Sequence, residues 1–392
     1  MSFGQANSSW PVSVRSTLAW GSGEQFMRVE SANYLRAVYK AICLGWGAPE
    51  HQAEAFADAI LTGDLYGHVA QGMAITHLAS VMVNDNQVNL TAEPTIEVEG
   101  SSFVALNANR CLGQYAMTRA MDMAIEKARD EAVGIAWIHN WHDIGCASAY
   151  TKRALDQNMV AMLSVNTVPL TAPYGGREML MSAAPLSFVC PAGEHTSILA
   201  DMALCEIYDF QMVEAARSGM RLDKKYLVDP DTGELTDDPA PYILYPESRS
   251  CGCTAATVFT GPKLYLVNIL FEILTGMLTP GGFASHLNEY PTQDYLGKGK
   301  KIKRGGGGFL MAIDPSRLMA IETFKARVDE WIHTIKSCKL QADVTEIFLP
   351  GERAQQKEQR YLKEGVPVKE ELWQYVVDIA EDTGVDLEAL RG

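Results

Sequence analysis

The segment Ala136–Gly145 constrains the architecture of this chain more than any other stretch. It begins as an apolar run with β character and ends in His142 and Gly145, and Ala147–Leu155 then has the residues of a helix. A second apolar run, Met159–Ser164, follows. Together these segments predict a strand–helix–strand unit with a histidine at the end of its first strand. An imidazole there is suited to exchanging a proton with a bound substrate near neutral pH.

Hydrophobic periodicity predicts further elements on both sides of this unit. Two helices are expected within residues 30–62, one or two strands within residues 180–212, and a helix that starts near Ala200–Val213. The other predicted helices are Met73–Val83, Gly113–Asp130 with an alanine every fourth position, Lys263–Leu278 as a buried helix, Phe324–Ile335 and Glu370–Leu390. The other predicted strands are Gly134–Ile138, Thr95–Glu99, Phe103–Leu106 and Phe309–Ile313.

Composition limits the possible partners and the compartment. The chain has 392 residues, 47% of them hydrophobic, which is enough for two or three well-filled domains. Its net charge of −15 disfavours nucleic acid as a partner, and the basic run Lys298–Arg304 is interpreted as a solvated loop. No apolar run is long enough to span a bilayer and the N-terminus lacks a signal-peptide core. Eight thinly spread cysteines fit a reducing compartment, so a cytoplasmic protein without membrane contact is expected.

Metal and nucleotide motifs are largely missing. His139 and His142 are three residues apart without a nearby carboxylate cluster, and one residue separates Cys251 from Cys253, so no metal site is predicted. No Gly-x-Gly-x-x-Gly pattern follows a predicted strand, because Gly305–Gly308 precedes one instead. A Rossmann domain is therefore not supported by the residues.

Short stretches spread over the chain nevertheless match one known family in order and spacing. The matching stretches between Val29 and Val385 are Gly67-His68 with Gly72, Leu112–Gln114, His142 with Gly145, Asn166-Thr167, Ala172–Gly176, Asp201–Ala203, Thr236–Pro239, Lys263, Glu272–Gly276, Ala312–Pro315 and Leu349–Glu352. The chain resembles the type 2 malate/lactate dehydrogenases, whose relatives include ureidoglycolate dehydrogenase, diketogulonate reductase and piperideine-2-carboxylate reductase.

The resemblance implies an α/β (α+β) fold and a nicotinamide cofactor. A non-Rossmann, mostly antiparallel sheet would carry the cofactor, and a helical domain formed from both chain ends would flank it. The implied divisions are residues 1–95, a helical domain; 96–315, the cofactor and substrate domain; and 316–392, a segment packing back on the first. The implied enzyme is a homodimeric, NADH- or NADPH-dependent reductase of a small 2-oxo acid or cyclic imine, with Arg353 and the basic run slightly favouring NADPH.

The resemblance also assigns roles to single residues. His142 matches the proton-donating histidine beside the cofactor, and Asp143, which follows it as part of a one-residue insertion, is a candidate to orient the imidazole. The positions matching cofactor contacts are Asn166, Thr167, Pro173 and Gly175 for the nicotinamide half, Asp201, Met202, Ala203 and Lys263 further along, and Gly351, Glu352 and Arg353 on the adenosine side.

The substrate-binding positions depart from the family pattern. Gln71 stands where the family has a histidine, Ile75 where it has a carboxylate-gripping arginine, and Ala184 where it has an asparagine. Losing a bidentate guanidinium costs a carboxylate substrate about 3 kcal/mol. Three interpretations follow: a larger or less charged substrate such as a cyclic imine or ketone, which is favoured; a 2-oxo acid anchored elsewhere, for instance by Arg177; or a non-catalytic relative that binds a nucleotide or a partner.

Overall fold

The computed structural model describes residues 27–391 except 168, 179, 208–211, 213–214, 217, 230, 243–255, 258–260 and 284–305. The predictions for the N-terminal leader, for Cys251 and Cys253 and for the basic run Lys298–Arg304 lie outside the described residues. The described helices are α1 Ala32–Gly45, α2 Glu50–Leu65, α3 Met73–Asn84, α4 Gly113–Glu131, α5 Ser148–Leu155, α6 Gly261–Glu272, α7 Ile321–Lys336, α8 Glu352–Glu364 and α9 Glu370–Thr383.

The described strands form three sheets. They are β1 Met27–Glu30, β2 Thr95–Glu99, β3 Phe103–Asn107, β4 Val133–Trp141, β5 Val160–Val165, β6 Pro169–Thr171, β7 Met181–Ser182, β8 Pro185–Cys190, β9 Ile198–Ala203, β10 Leu227–Val228, β11 Leu235–Thr236, β12 Ala256–Thr257, β13 Gly306–Ile313 and β14 Val366–Lys369. The largest sheet has the order β2-β3-β4-β13-β5-β8-β9, and a five-stranded sheet has the order β11-β10-β12-β6-β7. The third pairs β1 with β14.

The large sheet is mostly antiparallel, as expected. Among its pairings only β3 with β4 is parallel. The predicted strand–helix–strand unit is β4–α5–β5, but β13 lies between its two strands and pairs antiparallel with both. A distant segment therefore completes the middle of the sheet, which no local pattern around residues 133–165 indicates.

Helix α4 covers one face of this sheet through its small residues. Ala116, Ala120, Ala124 and Ala128 are all fully buried. A Cβ on Gly134 would come within 1.9 Å of the Ala124 carbonyl oxygen, so the helix approaches the sheet closely enough to require glycine there. The other face packs on an apolar cluster that includes Ala184, Phe271 of α6 and Phe309 of β13.

Elements from the two ends of the described chain contact each other. β1 pairs antiparallel with β14, with Met27 opposite Lys369. Helix α9 packs on α1 and α3, and the Tyr34 hydroxyl donates to the Leu387 carbonyl. The domain boundaries drawn at residues 95 and 315 stay predictions.

Several local predictions were wrong. Three strands rather than one or two lie within residues 180–212, and Ile198–Ala203 is one of them. The helix predicted near Ala200–Val213 begins later than Ala200, and Met212, Ala215 and Ala216 are helical among the described residues. Strand β4 continues through Trp141, three residues beyond its predicted end. The last helix ends at Thr383.

The helix predicted as buried over Lys263–Leu278 is α6 followed by a π-helical turn, Ile273–Met277. Its outer face is exposed, since Leu266 is 62% and Leu270 is 52% accessible. The apolar sequence alone did not show whether one face of the helix or its whole surface is buried. Helix α8 and the strands β1 and β14 were not predicted.

Candidate functional site

The strand registers bring several of the predicted site residues to one end of the large sheet. β4 ends at Trp141 opposite Gly306, the first residue of β13, and β5 ends at Val165 opposite Gly308. β8 starts at this end and β9 finishes there, with Pro185 opposite Ala203. The same end of the sheet therefore carries His142, Asn166-Thr167 and Ala184, which lie next to strand ends, and Asp201–Ala203, which are the last residues of β9. Neighbouring strands are about 4.8 Å apart.

The His142 ring is buried, and its Nε2 has no hydrogen-bond partner among the described residues. The residue is 6% exposed, and the backbone carbonyl of Gln87 lies where it can accept a hydrogen bond from the imidazole, which acts to raise the pKa of His142. Nε2 makes no hydrogen bond with any described residue, so the donating nitrogen is Nδ1. In the neutral ring Nε2 then carries the lone pair and can accept a proton.

Burial and a nearby cation keep this imidazole neutral. Desolvation is the larger cause and the Arg110 guanidinium the second, and against the Gln87 carbonyl they lower the pKa of His142 to about 4. The N-terminus of α4 also lies close, because a Cβ on Gly113 would come within 2.3 Å of the His142 carbonyl oxygen. At neutral pH the resting ring is a proton acceptor.

Asp143 does not orient the imidazole. Its Oδ1 accepts from the backbone N–H of Gly145 at 2.8 Å, which closes the turn after β4. Burial raises the pKa of the Asp143 carboxyl to about 6. Asp143 therefore shapes the turn that carries His142, and the sequence-based suggestion of an Asp–His contact was wrong.

Two of the departing substrate positions lie against this turn. A Cβ on Gly145 would be 3.0 Å from the Gln71 carbonyl oxygen and 3.7 Å from Cγ1 of Ile75. Ile75 is 7% exposed and belongs to the main apolar core. Ala184 is fully buried in the apolar cluster with Phe271 and Phe309. The substitutions thus leave apolar side chains at positions close to the strand ends.

Asn166 and Thr167 are committed to internal hydrogen bonds. Asn166 donates through Nδ2 to the Gly282 carbonyl at 2.7 Å and accepts at Oδ1 from the Gly307 N–H at 2.5 Å. The Thr167 N–H donates to Ser182 Oγ at 2.7 Å. These bonds fix the ends of β5 and β13 relative to the loop after α6, and cofactor contact by either residue stays a prediction.

Asp201 links β9 to the start of α5. Its Oδ2 accepts from the Ser148 N–H at 2.7 Å, at the positive end of that helix, and lies 3.4 Å from Cys146 Sγ. The next side chain, Met202, lies on the opposite face of the strand and is 47% exposed. Of this predicted trio, Met202 is the side chain that is open to a ligand.

The turn Pro173–Gly176 and Lys263 lie near each other. The turn is closed by the Gly176 N–H donating to the Pro173 carbonyl, and Gly175 has φ +86° with open space where a Cβ would stand. Tyr174 contacts Tyr265 of α6, with ring centroids 6.5 Å apart. Lys263, in the first turn of α6, is exposed and bonds to none of the described residues.

Four other predicted residues are bound within the protein. A Cβ on Gly351 would come within 2.6 Å of the Leu199 carbonyl oxygen, at the opposite end of β9 from Ala203. Glu352 is buried and pairs with Lys336 at 2.7 Å, while the Arg353 guanidinium lies 4.1 Å over the Phe348 ring. Arg177 donates to the Asp231 carbonyl at 2.9 Å. An adenosine-side role for 351–353 and a substrate role for Arg177 stay untested.

Sequence reasoning missed the residues that surround the imidazole. Gln87 and Arg110 belong to loops, and neither carries a motif; Arg110 has φ +63° and the preceding Asn109 has φ +52°. Consecutive left-handed non-glycine residues are unusual, and only coordinates reveal them. Within the described ranges no three His, Cys, Asp or Glu side chains converge on a metal position, and no helix there is long and apolar enough to cross a membrane.

Comparisons with known proteins agree with this arrangement. A family described as malate/L-lactate dehydrogenase matches residues 31–377. The chain is 29% identical to the malate/(S)-sulfolactate dehydrogenase of Methanothermus fervidus, over 87% of this chain and 94% of that protein. It is 27% identical to the L-sulfolactate dehydrogenase of Methanothermobacter thermautotrophicus, over 92% and 99%. A solved malate dehydrogenase from Entamoeba histolytica shares the fold at TM-score 0.83 and 21% identity, covering 92% of this chain and 99% of the other.

Proposed function

Because the chain belongs to the malate/L-lactate dehydrogenase family and is an NAD(P)-dependent oxidoreductase, we propose that it reduces a C=O or C=N group in a substrate other than a simple 2-oxo acid. The observation that carries this proposal is the buried His142 ring, with Nε2 open at the end of the sheet where the family pattern has its proton donor. The substrate class rests on Ile75, which is buried beside the same turn.

The described residues fit a dinucleotide. Gly175 offers an open turn where backbone can approach a ligand, and the unpaired Lys263 stands at the start of α6, where N–H groups and the helix dipole favour a phosphate. The orphaned Nε2 of His142 suits an oxygen or nitrogen at the reacting carbon. When bound, the nicotinamide exchanges a hydride with that carbon.

The protein's own part in the reaction is proton transfer and orientation. In the oxidative direction the neutral His142 accepts the hydroxyl or amine proton at Nε2 while Nδ1–H stays bonded to the Gln87 carbonyl. In the reductive direction the same nitrogen returns a proton to the product oxygen or nitrogen. Ile75 is buried in the main apolar core, so the side chain at this position offers a carboxylate no charged partner of its own.

A 2-oxo acid anchored elsewhere is the second candidate. The names of the two archaeal relatives favour it, since malate and sulfolactate are both 2-hydroxy acids. Arg177 is the proposed anchor for this alternative, although its guanidinium is bonded to the Asp231 carbonyl.

Two finer proposals concern the cofactor and the assembly. NADPH is slightly preferred over NADH on the basis of Arg353 and the basic run, although Arg353 stacks on Phe348. A homodimer is proposed because an apolar stripe at helical spacing, defined by Leu266, Leu270, Ile273 and Met277, is exposed on α6 and its π-turn.

A substrate panel tests the proposed function. NADH and NADPH oxidation is followed with pyruvate, oxaloacetate, Δ1-piperideine-2-carboxylate, neutral cyclic imines and neutral ketones. We expect kcat/KM for pyruvate and oxaloacetate to lie about 100-fold below that of the best neutral or cyclic substrate, the factor that about 3 kcal/mol implies. Efficient pyruvate or oxaloacetate reduction would contradict the substrate class. If fluorescence titration showed no binding of either dinucleotide, the chain would be the non-catalytic relative.

A further inference from the structure

We propose that Arg110 is a positioning residue, whose guanidinium holds the Gln87 carbonyl against Nδ1 of His142 so that Nε2 is the nitrogen that exchanges the proton. The proposal rests on the proposed function for the role of His142. It adds a residue from a loop that carries no motif, and it explains why this imidazole has one defined tautomer.

The contacts of Arg110 join three segments around the imidazole. Nε donates to the Gln87 carbonyl at 3.0 Å and a terminal nitrogen donates to the Asn86 carbonyl at 2.5 Å. Its backbone N–H donates to the Asn140 carbonyl, two residues before His142, and its own carbonyl accepts from the Asn89 N–H at 2.7 Å. Arg110 is therefore bonded both to the Gln87 carbonyl and to the strand backbone two residues before His142.

The Gln87 carbonyl is the atom through which Arg110 acts. A carbonyl oxygen has two lone pairs, so it can accept from the guanidinium and from the imidazole at the same time. The hydrogen bond made by one ring nitrogen decides which tautomer a neutral histidine adopts. The Arg110 guanidinium gives this loop carbonyl a charged donor that fixes its direction.

The backbone at Arg110 is held in a conformation that its side chain does not favour. Asn109 and Arg110 occupy the left-handed region at φ +52° and +63°, in a turn closed by the Cys111 N–H donating to the Ala108 carbonyl. Asparagine tolerates this region, whereas arginine has no such preference. The strain at Arg110 is offset by the four hydrogen bonds described above, which include those to the Gln87 and Asn140 carbonyls.

Arg110 also sets the charge that His142 meets. The groups that act on the ring are the Arg110 guanidinium from the β3–α4 loop and the Gln87 carbonyl from the α3–β2 loop. The N-terminus of α4 lies against the backbone carbonyl of His142, and Asp143 follows in the next turn. The guanidinium lowers the pKa of His142 more than the Gln87 carbonyl raises it. Removing the guanidinium should therefore raise the pKa of His142 and also allow the second tautomer of the ring to become populated.

The experiment reads the ring itself, separately from turnover. The eight histidines are labelled with nitrogen-15, and the His142 signals are assigned by their loss in His142→Ala. The wild-type protein should show Nδ1 protonated and Nε2 bare at neutral pH. Arg110→Gly removes the guanidinium and relieves the left-handed backbone, and Arg110→Lys keeps the charge and one donor.

We expect Arg110→Gly to give a mixture of tautomers, a higher titration midpoint for His142 and a kcat about 10- to 100-fold below wild type, the range seen when a group that orients an imidazole is removed. Cofactor affinity should not change. Arg110→Lys should restore part of the turnover. Arg153→Met is the matched control, because Arg153 is bonded through two nitrogens to Asp122 at 2.8 Å, between α5 and α4, and its loss should leave tautomer and turnover unaltered.

A wild-type tautomer and midpoint in Arg110→Gly would overturn the positioning role. If Arg110→Gly did not fold, Arg110→Asn would carry the test, because it also removes the guanidinium and asparagine tolerates the left-handed backbone. Wild-type turnover in Arg110→Asn together with an unchanged His142 signal would likewise overturn the proposal. Failure of the proposed function has a different signature. In that case His142→Ala keeps full activity while the Arg110 variants still change the nitrogen signals of His142.

Discussion

The position of His142 was predictable from the sequence, but its protonation state was not. Its position after a strand and before Gly145 was predictable from the segment and from the family resemblance. Its neutral state was not, because the pKa near 4 comes from burial and from Arg110, a residue on another loop. The replacements at Gln71 and Ile75 were visible in the sequence, whereas their position against Gly145 required the structure.

The depressed pKa of His142 predicts opposite pH dependences for the two directions of reaction. Oxidation needs the neutral ring, which is fully present above about pH 5, so its kcat/KM should stay flat across the neutral range. Reduction needs the protonated ring, whose population falls about tenfold per pH unit above the pKa. Steady-state rates in both directions measure this. A break near the ordinary histidine pKa of about 6.5 would show that the ring is not desolvated as described.

At the scale of elements, the sequence predicted the helices and strands that have strong local periodicity. It missed those whose conformation depends on pairing with distant segments. The alanine helix α4 and the strands β2 and β3 have clear periodicity, and they form at the predicted residues. The helix predicted near Ala200–Val213 overlaps the end of β9, because Ile198–Ala203 lacks a clear alternation and its pairing with β8 decides its conformation. β13 lies between β4 and β5 through contacts more than 140 residues apart, which local propensity does not encode.

Two neighbouring glycines of β13 should respond differently to alanine. A Cβ on Gly307 would come within 1.8 Å of the Thr275 carbonyl oxygen in the π-turn, whereas one on Gly308 would first meet the Ile138 Cγ2 methyl at 3.1 Å. We expect Gly307→Ala to lower the free energy of unfolding by about 1–3 kcal/mol or more. Gly308→Ala should stay within about 1 kcal/mol of wild type. Chemical denaturation checks both, and equal losses would show that the β13–π-turn contact is not tight.

For the whole molecule, the mixed α/β class followed from the family motifs, whereas the assembly did not. The ordered family motifs predicted a mostly antiparallel sheet and a layer built from both chain ends. The outer face of α6 was predicted as buried and is exposed in the single chain, with Leu266 62% accessible. An apolar sequence indicates that a surface becomes buried, but it does not indicate whether the same chain or another copy of the chain buries it.

The proposed homodimer predicts that a charge on this stripe separates the subunits. Leu270→Glu places a carboxylate in the centre of the exposed apolar stripe on α6 and should convert a dimer into a monomer. Leu362→Glu on α8 is the matched control, since Leu362 is similarly exposed at 59% but lies outside the stripe. Light scattering after gel filtration measures both masses. A wild-type monomer, or a dimer unaffected by Leu270→Glu, would rule out this face as the interface.

The most direct test of the account is turnover in His142→Ala, measured beside dinucleotide binding in the same preparation. Because the open Nε2 of His142 is the proposed proton carrier, kcat should fall at least about 100-fold, the lower range for loss of a general acid or base. The fluorescence titration with NADH and NADPH should be nearly unchanged. Full turnover in His142→Ala would contradict the central claim that this imidazole exchanges the proton of the reaction.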